Sequence, residues 1–499
     1  MDEAEPSPAA HRTADVAHGV ASTWRPGRPR SWIAVRSYVP LGLVAACYTA
    51  VQLALTARIG LGWDESVYIS QVARGVPAAE FTAPRARGVQ LLVAPVALVT
   101  PSVTAVRVYL SLLSGIALFL AYLPWIRLRA GAVAPLAAAL FGGLWLSLFY
   151  ANEAMPNMWV AYCGVAGVGL ACLAEARPRA RLATAGIVVA FAIASLMRPS
   201  DATWLAFPLV GYGVVRRSPR LLFATVAGLA IGWAEWMIEA VLRFGGPLAR
   251  LHAAGAENAT GLHFSLPDHL RALNGPLLCR FGVECGGLPL TQVAWFAAVP
   301  VVAGLGVWMV RRRALVAALA CGLSLALSYV FTVGYAAPRF LLPAYALLAL
   351  PVSAGIIWLC RRRGTAVLAV AGVACYFAVQ AKSVYVYGEQ VYAARATAPA
   401  VAAQLKQVGM RPPCFLYGHD AVQIGYLAKC ASHGVFRHYG GTSSVPSSIR
   451  AAIARSDWVG VITTSRRPPA PFLAAWTSID LRVVGEKTWY VFVPPRGNP

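Results

Sequence analysis

Two adjacent carboxylates stand in the stretch Gly62-Trp63-Asp64-Glu65-Ser66-Val67-Tyr68-Ile69-Ser70, directly after a long apolar run. Acids side by side repel one another and need partners, and an ionised carboxylate held by such partners can act as a general base toward a hydroxyl. A solvated pair of loop acids is the plain alternative. Against it stands Phe81-Thr82-Ala83-Pro84-Arg85-Ala86-Arg87-Gly88, which brings Arg85 and Arg87 into the same connection. Guanidinium groups there suit an anionic phosphate ligand.

The elements that must position these groups are membrane helices. Of 499 residues 58% are hydrophobic and 13% charged, with a mean hydropathy of +0.60, a balance foreign to water-soluble domains. The net charge of +23 would point to nucleic acid in a soluble chain, but the basic residues cluster in short turns between apolar runs, so no nucleic-acid partner is expected. The implied partner is membrane lipid.

Residues 1–34 read as a polar, Pro-rich, disordered cytoplasmic tail, and the first run, Val35 to Ala57, as an uncleaved anchor. Further runs follow at Thr104–Ile126, Ala132–Tyr150, Asn157–Glu175, Leu182–Leu196, Ala202–Val215, Leu221–Leu242, Thr291–Val310, Ala314–Val333, Pro338–Leu359 and Thr365–Tyr385, giving about eleven spans over residues 35–385. Arg127 and Arg129, Arg177 to Arg181, Arg216 to Arg220, Arg311 to Arg313 and Arg361 to Arg363 fall in every second connection. The positive-inside rule then places these turns and the N-terminus in the cytoplasm, with the C-terminus and the acid pair outside. Residues 386–499 alternate short strand-like runs (Cys414–Gly418, Gly434–His438, Trp458–Thr463, Trp489–Pro494) with helical ones (Ala396–Val408, Ser448–Ala454) and read as a small extracytoplasmic α/β domain.

Six of ten cysteines lie in or at the ends of apolar runs, and the other four form two close pairs, Cys279 with Cys285 and Cys414 with Cys430. In an oxidising compartment these are expected disulfides, with free thiols as the alternative.

Asp-Glu-x-x-Tyr after the first span, a Pro-Arg-x-Arg-Gly stretch and about eleven spans with an outer C-terminal domain resemble the GT-C superfamily of integral membrane glycosyltransferases. The resemblance is nearest the polyprenyl-phosphate-sugar-dependent group of protein O-mannosyltransferases and lipid A aminoarabinose transferases. It implies inverting transfer of a sugar from a polyprenyl-phosphate donor to a hydroxyl of a glycan, lipid or protein at the extracytoplasmic face of the cell membrane. Asp64 would be the base, Glu65 its support and Tyr68 an orienting group. The turn Ala151-Asn152-Glu153-Ala154-Met155-Pro156-Asn157 resembles the family's next outer loop, with Asn157 where an acid is common and Glu153 able to supply the carboxylate, although helix-end polarity also explains it. Pro338-Arg339-Phe340-Leu341-Leu342-Pro343 resembles the family's Arg-Tyr-Leu-Leu-Pro element, which makes Arg339 a phosphate contact. Arg198 either joins it or snorkels from a span end.

Elsewhere His252, His263, Asp268 and His269 match no standard metal spacing, and no Gly-rich phosphate loop, His-Glu-x-x-His or nucleophile elbow is found. No cofactor is called for, and metal dependence stays open. The rival reading is a lipid or lipid-linked-sugar transporter or flippase. Its coupling acids belong at mid-span, whereas Glu235 and Glu239, the acids of the Leu221–Leu242 run, lie toward its outer end and read as facing an interior groove.

Overall fold

The computed structural model describes residues 31–128, 131–177, 179–273, 277–279, 285–288, 290–435, 444–481 and 488–495. Residues 1–30, Arg129 and the end of the strand expected to reach His438 lie outside them.

Every one of the expected apolar runs folds as helix. The chain begins with α1 (Ser31–Leu55), the short α2 (Trp63–Ser70) and α3 (Gly88–Ala97), then α4 (Val103–Arg127). The run 132–150 breaks at Gly143 into α5 (Val133–Gly142) and α6 (Trp145–Tyr150). Next come α7 (Pro156–Ala176), α8 (Arg181–Met197), α9 (Pro199–Val215) and α10 (Pro219–Arg243). Pro156, Pro199 and Pro219 each open a helix, where the missing N–H leaves no bond unmade. After α11 (Pro247–Glu257) and α12 (Leu266–Ala272) follow α13 (Leu290–Val310), α14 (Arg313–Thr332), a 3-10 turn (Pro338–Leu341), α15 (Leu342–Cys360) and α16 (Arg363–Gln407).

Among the described residues eight helices are long and apolar enough to cross a membrane, while α8 and α9, at 17 residues each, and the split α5 and α6 fall short of that length. The chain is an integral membrane protein. Large side chains such as Phe223, Val241 and Leu242 on α10 point outward, as a hydrocarbon surround requires. Inside the bundle the backbones come close. A Cβ on Gly232 of α10 would meet Leu196 N at 2.4 Å, and one on Gly228 would meet Val188 O at 2.7 Å, so this Gly-x-x-x-Gly face seats α8 directly on α10.

The span expected to end at Tyr385 and the helix expected at Ala396–Val408 are one element, the 45-residue α16. Its far end carries the C-terminal sheet. Ala398, Val401, Ala402 and Leu405 pack beneath Cys414, Leu416, Ile462 and Val491. The sheet comprises β1 (Cys414–Gly418), β2 (Ala431–Gly434), β3 (Trp458–Thr463), β4 (Thr477–Leu481) and β5 (Trp489–Val493) in the order β2-β1-β3-β5-β4. β1 runs parallel to β2 and β3, and β5 antiparallel to β3 and β4. Helices α17 (Ala421–Ala428) and α18 (Ser447–Ala454) complete this unit. β4 and α17 were not expected from the sequence, and β4 is the more exposed edge strand. Both expected disulfides are formed, Cys279–Cys285 at 2.03 Å and Cys414–Cys430 at 2.00 Å, the latter tying the start of β1 to the residue before β2.

Candidate active site

The two acids open α2. Gly62 is the extended N-cap, and Glu65 at the third helical position accepts its backbone N–H at 2.9 Å. Carboxylates in a first helical turn meet the positive end of the helix dipole, which explains in part why two are tolerated together. Their surroundings then diverge. Glu65 is 1% exposed, and Arg107 grips both its oxygens, Nη1 to Oε1 at 2.6 Å and Nη2 to Oε2 at 2.8 Å. Ala154 N donates to Oε1 at 2.9 Å and Arg395 Nη1 to Oε2 at 3.2 Å. Asp64 keeps 30% of its side chain exposed, with Arg85 Nη2 on Oδ1 at 2.8 Å and Arg339 Nη2 on Oδ2 at 3.0 Å. Asp64 is therefore the more open of the two carboxylates, and Glu65 is buried among its partners.

The exposed face of Asp64 looks into a cavity of about 520 Å³. Of the residues singled out from the sequence, Asp64, Glu65, Tyr68, Arg85, Glu153, Arg198 and Arg339 all line it. They arrive from separate connections. Arg339 sits in the 3-10 turn that opens α15, beside Ala336, whose backbone exchanges two hydrogen bonds with Cys279 at 2.7 and 2.8 Å. Arg198 precedes Pro199, which forces it into an extended conformation and turns it out of the helix. Its Nε holds Asp201 Oδ1 at 3.2 Å, and its guanidinium lies over the Phe340 ring at 5.0 Å.

Electrostatics separates the carboxyls further. Burial acts to raise Asp64, but Arg85 and Arg339 outweigh it and hold the carboxyl below its ordinary value. Glu65 follows the same pattern, with Arg107 and Arg395 overcoming burial. Glu153 goes the other way. Burial raises it and the charge of Glu65 adds to that, although Arg395 Nη1 sits 2.6 Å from its Oε1. Burial pushes the Tyr68 phenol up to about 12 against the pull of Arg85, with Asp64 adding to the rise.

Arg87 is not brought into the cavity. Its guanidinium pairs with Glu239 and lies 3.9 Å over the Phe81 ring. Glu239, expected to face a groove, is held from its other side by Arg250 Nη2 at 2.9 Å, and Glu235 accepts from Arg87 N at 3.5 Å. His252, His263, Asp268 and His269 do not gather into a metal-binding group among the described residues, and His269 is buried, its pKa lowered to about 4 by desolvation. Asn157 lies fully buried behind Pro156 with no hydrogen-bond partner among the described residues for either amide atom.

Three arginines escaped the sequence reading. Arg107, buried near the start of α4, also donates to the carbonyls of Ile59, Gly60 and Asn152 and so gathers three segments around Glu65. A lone cation inside an apolar run was the available signal. Arg250 donates to the carbonyls of Ala83 and Arg85 and fixes the loop that carries Arg85. Arg395 reaches in from α16, far away in sequence, and nothing local marks it. The sheet unit also contributes to the wall through Val422, Ser432, His433 and Gly434, with His433 Nδ1 2.7 Å from Glu80 Oε2.

This arrangement, a carboxylate flanked by arginines at the mouth of a helical membrane bundle, stands on a fold that the chain shares with solved structures. Among solved structures the chain is similar to ArnT from Cupriavidus metallidurans bound to undecaprenyl phosphate, with a TM-score of 0.60 at 15% identity over 92% of this chain and 98% of that one. It is also similar to the archaeal oligosaccharyltransferase AglB from Archaeoglobus fulgidus in complex with an inhibitory peptide and a dolichol-phosphate, with a TM-score of 0.50 at 14% identity over 87% of this chain and 70% of that one. No protein-family model and no curated protein matches the sequence.

Proposed function

We propose that the protein is a glycosyltransferase that moves a sugar from a polyprenyl-phosphate donor to an acceptor hydroxyl, with Asp64 as the general base. The observation that carries this reading is the accessible Asp64 carboxylate between Arg85 and Arg339, in a cavity also lined by Arg395 and by Arg198, which sits where two helices of the bundle meet. The acceptor oxygen attacks the anomeric carbon as Asp64 takes its proton. The bond from that carbon to the phosphate oxygen breaks, and its electron pair leaves with the polyprenyl phosphate. A single displacement inverts the anomeric centre. The charge growing on the phosphate is met by Arg339, Arg85 and Arg198 in a partly dry site, where fixed cations act most strongly. Both similar structures hold a polyprenyl-type phosphate, which is the leaving group this scheme requires.

Glu65 supports the base from behind, Tyr68 shapes its approach, and Glu153 holds Arg395. The charge pattern of the connections supports a cytoplasmic N-terminus, with the sheet unit and cavity outside. Purified protein given radiolabelled polyprenyl-phosphate sugars should transfer label to an acceptor fraction, and Asp64→Asn should cut the rate by about 10² to 10⁴. Undiminished transfer by that variant would remove Asp64 from the role of base. Lipid movement without sugar consumption by wild type would favour the flippase reading.

A further inference from the structure

Both oxygens of Asp64 are already occupied, one by Arg85 and the other by Arg339. These same guanidiniums are the cations that the proposed donor phosphate needs. Arginine forks match phosphate at least as well as carboxylate, and the two anions cannot share the same N–H groups at full strength. We propose that Asp64 and the donor phosphate are rival ligands of Arg85 and Arg339, so that donor binding unlocks the base and the reaction runs in order, donor before acceptor. This rests on the transferase reading above.

Several features of the site support the rivalry. Arg85 and Arg339 approach Asp64 from opposite oxygens and from separate elements, so each can turn toward a third group without dragging the other. Arg85 keeps a second carboxylate, Glu257 Oε1 at 3.4 Å, which limits how far it travels. The buried Nε of Arg339 has no hydrogen-bond partner among the described residues, so this guanidinium holds donor capacity that Asp64 does not use. Glu65, by contrast, is fixed by Arg107, Arg395 and two backbone N–H groups and has no part in the exchange.

The exchange also balances over the reaction. While Asp64 is clamped by two cations it is a weak base, and acceptor hydroxyls keep their protons. Phosphate binding draws positive charge away from Asp64 and strengthens it as a base. During transfer the acceptor proton moves to Asp64 as the anomeric carbon–oxygen bond breaks and the phosphate gains negative charge. The protonated acid no longer competes at the moment when the phosphate needs the arginines most. When the lipid phosphate leaves, Asp64 gives its proton to water and the clamp re-forms.

The test is the affinity of full-length protein in lipid nanodiscs for undecaprenyl phosphate. Asp64→Asn should be slowed in transfer by the factor given above yet bind this probe about tenfold more tightly than wild type, because the competing charge is gone. Asp64→Ser, which removes the charge with less bulk, should tighten binding in the same way and guards against a shape artefact. Arg339→Gln should weaken it. Equal or weaker binding by both Asp64 variants, with wild type binding well, overturns the rivalry and leaves the transferase reading standing. Failure of wild type and variants alike to bind the probe overturns the transferase reading itself.

Discussion

Glu65 and Arg107 face each other through two hydrogen bonds of 2.6 and 2.8 Å, each side chain 1% exposed. Breaking such a buried pair from one side strands the other charge, at a cost of about 3 to 5 kcal/mol. Glu65→Ala should therefore lower thermal stability severely, while Asp64→Asn, a change at a partly exposed position, should shift it by less than about 1 kcal/mol. Melting curves of the two variants in one detergent check the contrast. Equal losses would contradict the division of labour between neighbouring acids.

Glu153 predicts a pH-dependent effect of opposite sign to that of Asp64. Its folded-state pKa is raised, so its ionised form is less stable in the folded protein than in the unfolded chain. Its stabilising contribution is complete below the unfolded value, about 4.3, and is lost as pH rises through the folded value. Glu153→Gln should raise the melting temperature at pH 7 and lose that advantage toward pH 4. A large loss at pH 7 would mean that the contact with Arg395 dominates.

For Asp64 the lowered folded pKa keeps the carboxylate ionised throughout the neutral range. Its contribution to stability is present above the unfolded value, about 3.9, and is lost as pH falls through the folded one. Arg339→Gln removes one of the cations that lower it, so the acidic limb of the kcat/KM profile should move to higher pH. A limb that stays in place would show that another group sets it.

Gly434 of β2 lies against Trp63, the residue before Asp64. A Cβ there would come within 1.9 Å of the Trp63 ring. Gly434→Ala should displace Trp63 and lower kcat by about tenfold to a hundredfold, since small errors at a reacting centre are costly. The measurement is steady-state transfer, with circular dichroism to show that the sheet survives.

The disulfide between Cys414 and Cys430 closes a sequence separation of 16 residues. Replacing both by serine should cost the sheet unit about 3 kcal/mol. In whole cells a membrane-impermeant thiol reagent should label this pair only after external reduction. Labelling that requires permeabilisation would invert the proposed orientation.

Much of this architecture could be read from the residues alone, because hydropathy marks apolar helices and arginine marks one end of each. Asp64, Arg198 and Arg339 converge since all three sit at helix ends on the same side, and helix ends in a bundle lie close together. Arg85 and Arg87, by contrast, are two residues apart and were read alike, yet one reaches Asp64 and the other Glu239. Only the path of the loop, fixed by the unforeseen Arg250, separates them. Arg395 was hidden for a different reason. Its partners Glu65 and Glu153 lie 330 and 242 residues earlier, and pairing at such range leaves no local pattern. The unity of α16 was masked by Pro399 and by a fading apolar run, both of which suggest an ending that packing against the sheet overrides.

Arg395 stands 32 residues beyond Arg363 on α16, about 48 Å along the helix axis, whereas the oily interior of a bilayer is about 30 Å thick. With Arg363 at one edge of the oily layer, even an appreciably tilted α16 carries Arg395, and the carboxylates it bridges, past the opposite edge and into the headgroup region. Under the proposed function, a polyprenyl donor would leave its tail dissolved in the membrane and raise only its phosphate and sugar to the cavity. The carrier would never have to be lifted out of its solvent, and the spent phosphate would sink back along the same path, ready to be recharged.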